Sequence, residues 1–233
     1  MYVLIGGGGL VGLSLAQKLL ELGHTVAVID VDPTACRYAR EKIGAMAFEG
    51  SAVSTDVLLE AGIRKANSLA AVLRSDALNL AMVTLAKHYG VPHILSRMRH
   101  PDFAEPLRWS GANHIISTVE LGVSTMVNAI EYPQVESMMH FEQGQIEVLK
   151  LPIPDRCRVA GRSLAEIAQD SGFPESSLIV GYQPHPHDDL VIPNGSTVLE
   201  PGSTVLIVTK PGSLHQMIDF IGVSQSISGS PAY

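Results

Sequence analysis

Short apolar runs alternate with helix-spaced apolar residues along the first half of the chain. Tyr2-Val3-Leu4-Ile5 is a strand-like run that stops at four glycines. Leu13, Ala16, Leu19 and Leu20 then recur at three- and four-residue spacing, which is one face of a helix, and Gly23 supplies its C-terminal cap. Residues 25–30 form a second predicted strand closed by the carboxylate of Asp30. Asp32-Pro33 opens another helix with a capping side chain and a first-turn proline. The same alternation predicts strands at 45–48, 68–73, 93–96 and 114–117, and helices at 55–61, 76–89 and 101–109. Six strands separated by helices imply a parallel sheet with right-handed crossovers. Ligands of such sheets lie beyond the carboxyl ends of the strands, where the strand order reverses.

After Glu120 the rhythm changes. A helix at 120–130 runs into Tyr132-Pro133, a boundary because the residue before proline avoids helical angles. Strands at 137–141 and 145–151 are joined by Glu142-Gln143-Gly144, a hairpin signature. A helix at 163–169, strands at 178–183 and 204–209 and a helix at 213–221 follow. The expected fold class is α/β. A Rossmann-like doubly wound parallel sheet forms an N-lobe, 1–130, and a small α+β C-lobe, 135–222, follows it. The Ser- and Gly-rich stretch 223–233 is expected to be a disordered tail.

Composition sharpens this picture. In 233 residues, 46% are hydrophobic and 17% charged, enough to build sizeable cores and to cover a parallel sheet on both faces. No apolar stretch approaches the ~20 residues a membrane span needs, and no basic segment precedes the first strand. A soluble, cytosolic chain is therefore expected. Sixteen Lys and Arg against 23 Asp and Glu give a net charge of −7, which disfavours nucleic acid as a partner. Cys36 and Cys157 form no CxxC pair and are expected to be reduced thiols.

Gly7-x-Gly9-x-x-Gly12 matches the dinucleotide fingerprint. The first glycine permits the tight turn, the second lets backbone approach a pyrophosphate, and the third lets helix pack on strand. The motif follows a strand and opens a helix, and Asp30 stands 23 residues after Gly7 at the end of the second strand. A carboxylate there hydrogen-bonds ribose hydroxyls and repels a 2′-phosphate, which disfavours NADP. Because Asp32 fits the helix-cap role, Asp30 is expected to be free for a ligand.

These segments resemble the regulator-of-potassium-conductance (RCK/KTN) family of Trk/Ktr-type potassium-uptake regulators. The resemblance is carried by Ile5 to Gly12, Val28 to Pro33, Glu49 to Ala52, Val57 to Ile63 and Ser75 to Leu80. The second lobe adds Gly161 to Glu166 and Ile192 to Ser203, so the likeness covers residues 1 to about 222. It implies a non-enzymatic, cytosolic regulatory subunit, a homo-oligomer (dimer or ring of dimers) held at the inner face of the membrane by an integral-membrane potassium channel or transporter subunit. It implies NAD(H), ATP, ADP or AMP in the N-lobe. By position, Gly7, Gly8, Gly9, Leu10 and Val11 cradle phosphates and Asp30 holds the ribose. Ser51 and Ala52 border the adenine, Leu73 and Arg74 close the fourth strand, and Arg97 approaches the phosphates. Gly12 and Val31 complete the cofactor-binding set. The helix near Glu120 becomes a crossover element between subunits. Relatives place cation-binding carboxylates near Asp76 and Glu120. Two departures stand out: Ser51 replaces a common aspartate, and Leu10 stands where ATP binders often have arginine. The second tilts the choice toward NAD(H) or a less charged adenine nucleotide, with Arg97 or Arg99 as substitutes.

The alternative class is an NAD-dependent oxidoreductase of unidentified substrate. Tyr38-x-x-x-Lys42 formally matches a dehydrogenase pair, but it lies near the adenine ribose, out of reach of a hydride acceptor. His185-Pro186-His187-Asp188-Asp189 carries metal-compatible side chains in what the flanking prolines predict to be an exposed turn. Neither a catalytic nor a metal site is nominated. Arg97 and Arg99 alternate at the end of the fifth strand and so share a face, suited to phosphate or subunit contact.

Overall fold

In the computed structural model, the described residues are 1–141 and 145–222. The predicted turn at Glu142-Gln143-Gly144 and the predicted tail at 223–233 lie outside them. Strands β1 (Tyr2–Gly6), β2 (Thr25–Asp30), β3 (Met46–Glu49), β4 (Ser68–Ala71), β5 (His93–Met98) and β6 (His114–Ser117) form one parallel sheet. Its order is β3-β2-β1-β4-β5-β6. The order reverses between β1 and β4, whose carboxyl ends part to leave a crevice.

The apolar runs are continuous because both faces of the sheet are covered. Leu4, Ala27, Ile29 and Leu69 pack on one face with Leu58, Met82, Val83, Ile94 and Leu107. Val3, Ile5, Val26 and Val28 pack on the other with Ala16, Ala39 and Ala45. Each such Leu or Ile contributes about 1.5–3 kcal/mol by leaving water. The covering helices are α1 (Leu10–Glu21), α2 (Pro33–Tyr38), α3 (Thr55–Glu60), α4 (Asp76–His88) and α5 (Ala104–Trp109). Gly23 ends the first turn of chain after α1 with φ +79°, its N–H donating to the Leu20 carbonyl.

Several bounds differ from the expected ones, and three of the differences have a visible cause. β4 stops at Ala71 because the N–H and carbonyl of Leu73 are both taken by the Asn79 side chain. β5 runs on to Met98, which pairs with Ser117. Helix α6 (Thr118–Glu131) begins two residues early, because the Ser117 hydroxyl accepts the Glu120 N–H at 3.2 Å and caps it.

The chain divides into two compact units, Met1–Gly122 and one beginning at Val123, so the division falls within α6. The second unit holds β7 (Ser137–Phe141), β8 (Ile146–Pro152), β9 (Ser177–Gln183) and β10 (Thr204–Thr209), an antiparallel sheet in the order β7-β8-β10-β9. Leu149, Leu151, Val205 and Ile207 pack against helices α7 (Leu164–Ala168) and α8 (Leu214–Ile221) through Ile167, Met217 and Ile221. Among the described residues, no helix is long and apolar enough to cross a membrane.

Candidate functional site

The turn between β1 and α1 is built from glycines for different reasons. Gly7 has φ +110°, and a Cβ there would lie 3.0 Å from the Val72 carbonyl oxygen. At Gly12 a Cβ would lie 1.9 Å from the Gly7 oxygen, so no side chain fits. Gly9 is the opposite case: nothing lies within 4 Å of where its Cβ would be. Protein packing does not demand that glycine, and its bare backbone opens onto the crevice. Backbone bonds from Gly7 N–H to Ile29 and from Val72 N–H to Gly6 lock the turn between β2 and β4. No side chain caps α1 and no acidic residue occupies its first turn, so its N-terminal amides and positive dipole end are available to an anion.

Asp30 closes β2 beside this turn. The carboxylate expected to be free for a ligand is also tied to the backbone. Its Oδ2 accepts the Gly8 N–H at 2.5 Å and its Oδ1 accepts the Asp32 N–H at 2.8 Å. Each oxygen keeps a second lone pair, so Asp30 both tethers the glycine turn to β2 and can still accept ribose hydroxyls. Asp32 caps α2 as predicted, accepting the Thr34 N–H at 2.8 Å. Beneath Asp30 lies Cys36, whose buried thiol reaches the Asp30 and Phe48 carbonyls. Burial pushes that thiol's pKa up, and the Asp30 hydrogen bond opposes the shift, leaving a poor nucleophile. Both cysteines are free.

The other wall comes from β4 and β5. Asn79, fully buried on α4, accepts the Leu73 N–H at 2.8 Å and donates to the Leu73 and Arg97 carbonyls, each at 3.1 Å. It clamps the two strand ends that carry Arg74 and Arg97. Arg97 Nε donates to the Thr118 hydroxyl at 3.2 Å, and Arg99 donates to the Arg74 carbonyl at 3.2 Å. Asp76 accepts the backbone N–H groups of Arg99 and His100, so the carboxylate proposed by resemblance for cations acts here as a loop anchor.

Together these walls enclose a crevice of 680 Å³, within the range of small-molecule sites. Every nominated residue lines it: the turn from Gly7 to Gly12, Asp30 and Val31, Ser51 and Ala52, Leu73 and Arg74, and Arg97. Arg99 lines it too. Asp32, Ala35, Gly50, Val53, Val72, Ser75 and Leu78 also line it and were not nominated. Gly50 carried a usable signal, a glycine directly after β3, where φ is +152° and the N–H donates to the Asp30 carbonyl. Tyr38 and Lys42 are outside the lining. The His185 ring pairs with Asp188 at 2.8 Å in an exposed turn, and no metal-like cluster of three ligands occurs among the described residues.

Residues 3–118 match the TrkA-N domain and residues 148–222 match the TrkA-C domain. The chain is also 30% identical over 216 residues to the Trk system potassium uptake protein TrkA homolog of Methanothermobacter thermautotrophicus. That match spans 93% of this chain and 97% of the relative. The chain belongs to the TrkA family. Among solved structures, the GsuK channel bound to NAD superposes on 97% of this TrkA-family chain with a TM-score of 0.66. At 20% identity that likeness is one of fold, and this chain spans only 40% of the channel's. GsuK bound to ADP is 26% identical over 55% of this chain, covering 34% of its own, with a TM-score of 0.50. The resemblance read from both lobes of the sequence is thus borne out as family membership.

Proposed function

We propose that this TrkA-family chain is a nucleotide-sensing regulatory subunit of a membrane potassium channel or transporter, and that NAD(H) or an adenine nucleotide occupies the crevice at the β1–β4 switch. The observation that carries the reading is the pairing of an open Gly9 backbone with a carboxylate tethered beside it. Amides at the α1 N-terminus meet the phosphates, Asp30 meets the ribose, and Ser51 and Ala52 border the base. The TrkA relative is named for potassium uptake, and the GsuK structures are described as binding NAD and ADP.

The functional division follows the same logic. Residues 1–130 form the sensing lobe, and 135–222 form a regulatory C-lobe. The subunit assembles as a homo-oligomer, α6 exchanging contacts between copies, and attaches to the inner face of the membrane through its partner. Regulation is linkage: a nucleotide that prefers one arrangement of the assembly shifts the population toward it by its differential affinity. Calorimetric titration with NADH, NAD, ATP, ADP and AMP tests binding. Asp30→Ala should weaken every ribonucleotide that binds, and unchanged affinity would move the ligand elsewhere. Potassium flux with and without the subunit, beside an assay for NADH turnover, tests the role. Turnover without an effect on flux would replace this reading with an oxidoreductase.

A further inference from the structure

The strand order decides which end of the crevice meets which part of a nucleotide. With phosphates at the β1 turn and the sugar at Asp30 on β2, the base falls one strand further on, at β3. Neighbouring strands lie about 4.8 Å apart, which matches the step from ribose to base. The lining at this end is Val31 past β2, and Gly50, Ser51, Ala52 and Val53 past β3. Valine and alanine side chains meet the faces of a ring without regard to the groups on its edge, because apolar contact is non-directional. The Gly50 N–H is taken by the Asp30 carbonyl. Ser51 is exposed, and its carbonyl accepts the Ser54 N–H at 2.9 Å. Its Oγ accepts the Val53 N–H at 3.4 Å, a long bond that leaves the hydroxyl hydrogen to donate and a lone pair to accept. The neighbouring carboxylates are committed or set back. Asp32 lines the crevice but caps α2 through Oδ1, and Glu49 and Asp56 lie outside the lining.

We infer that Ser51 reads the 6-position of a purine with a hydroxyl that either donates or accepts, so that the crevice takes 6-oxopurine (guanine or hypoxanthine) nucleotides as well as adenine ones. The inference rests on the proposed nucleotide reading, with the sugar at Asp30. Adenine presents an amine at that position, which needs an acceptor. Guanine and hypoxanthine present a carbonyl, which needs a donor. A hydroxyl rotates to suit either one, so the discrimination that comes from stranding a polar group unpaired does not arise. A carboxylate in the same place could only accept. It would favour the amine through a charge-assisted bond and repel the carbonyl. The sugar and phosphates, rather than the base, then define the class of ligand that this crevice holds.

Calorimetric titration of the full chain with ADP, GDP and inosine diphosphate tests this, because the three share their sugar and phosphates. The parent should bind all three within about threefold of one another. Ser51→Asp should favour ADP over the other two by about tenfold or more. Ser51→Asn, which has the shape of aspartate but both a donor and an acceptor, should keep the three affinities level. Position 51 is exposed, and thermal unfolding of each variant confirms that the fold persists. A parent that separates ADP from the 6-oxopurine nucleotides by more than about threefold, in either direction, overturns the inference and leaves nucleotide sensing intact. So does a Ser51→Asp variant whose affinities stay level, or a parent that binds NADH and none of the three diphosphates. A parent that binds neither NADH nor any of the three overturns the nucleotide reading and this inference together.

Discussion

Two glycines of one motif separate packing from binding. A Cβ at position 12 meets the Gly7 oxygen at 1.9 Å, which forces helix and turn apart; at position 9 it meets no protein atom within 4 Å. Gly9 sits at φ −77° and ψ −176°, an extended conformation open to any residue. Gly12→Ala should therefore lower stability by about 1–3 kcal/mol, the usual range for overpacking, and abolish nucleotide binding with it. Gly9→Ala should hold its unfolding midpoint in urea close to the parent's and still lose nucleotide affinity, because its methyl occupies ligand space. Denaturant unfolding beside calorimetry separates the two. If Gly9→Ala binds as the parent does, the phosphates do not approach this backbone.

Element by element, the strand ends are held by side chains rather than by the ladder. From a fully buried position Asn79 satisfies three backbone groups, two on Leu73 just past β4 and one on Arg97 in β5. Asn79→Ala leaves buried polar groups unpaired, and stability should fall by about 2–3 kcal/mol. Because Leu73 and Arg97 lose their common anchor, nucleotide affinity should fall as well, measured at a temperature where the variant is fully folded. Elements and cavity were legible in the sequence because each rests on local chemistry: apolar periodicity, an Asp-Pro start, glycines at a strand end. Asn79 was not, since one polar residue on a helix reveals nothing of the strand ends it will face. Nor were the amides on Asp30, which depend on how two loops distant in sequence close together. The early start of α6 was legible in principle, because Ser117 and Glu120 have N-cap spacing.

The C-lobe carries its own ionic hub. Asp170 accepts from Arg162 and Arg158 and from the Gly172 N–H. The Arg162 hydrogen bond, then the Gly172 amide, holds its carboxyl below the usual aspartate pKa. Glu166 is likewise lowered, first by the Ser163 N–H of the α7 capping box and then by the Ser163 hydroxyl. A folded pKa below the unfolded one means the stabilisation is complete above the ordinary carboxylate range, about pH 4. It is lost as pH falls through the lowered pKa values. Asp170→Asn should flatten the acid limb of a stability-versus-pH curve and leave its shape near neutrality unchanged. An acid limb as steep as the parent's would remove Asp170 as its source.

For the whole molecule, the issue is how an occupied crevice is felt elsewhere. Arg97 belongs to the crevice and also donates to Thr118, the first residue of α6. That helix has no buried residue in the isolated chain and exposes Val119, Val123, Met126 and Val127, with Ile130 77% exposed. An apolar stripe of this kind calls for a protein partner, and in the proposed assembly it is α6 of a second copy. Met126→Lys/Ile130→Lys should then convert the oligomer to monomers in light-scattering measurements. Linkage makes the stronger demand. If nucleotide binding and assembly are coupled by a factor, breaking the assembly must change nucleotide affinity by that same factor. A monomeric lysine variant should thus bind its nucleotide with an altered Kd, and Thr118→Val, which removes the acceptor of Arg97, should shrink the difference between assembled and monomeric forms. Equal affinities in monomer and assembly would mean that α6 joins subunits without reporting what the crevice holds.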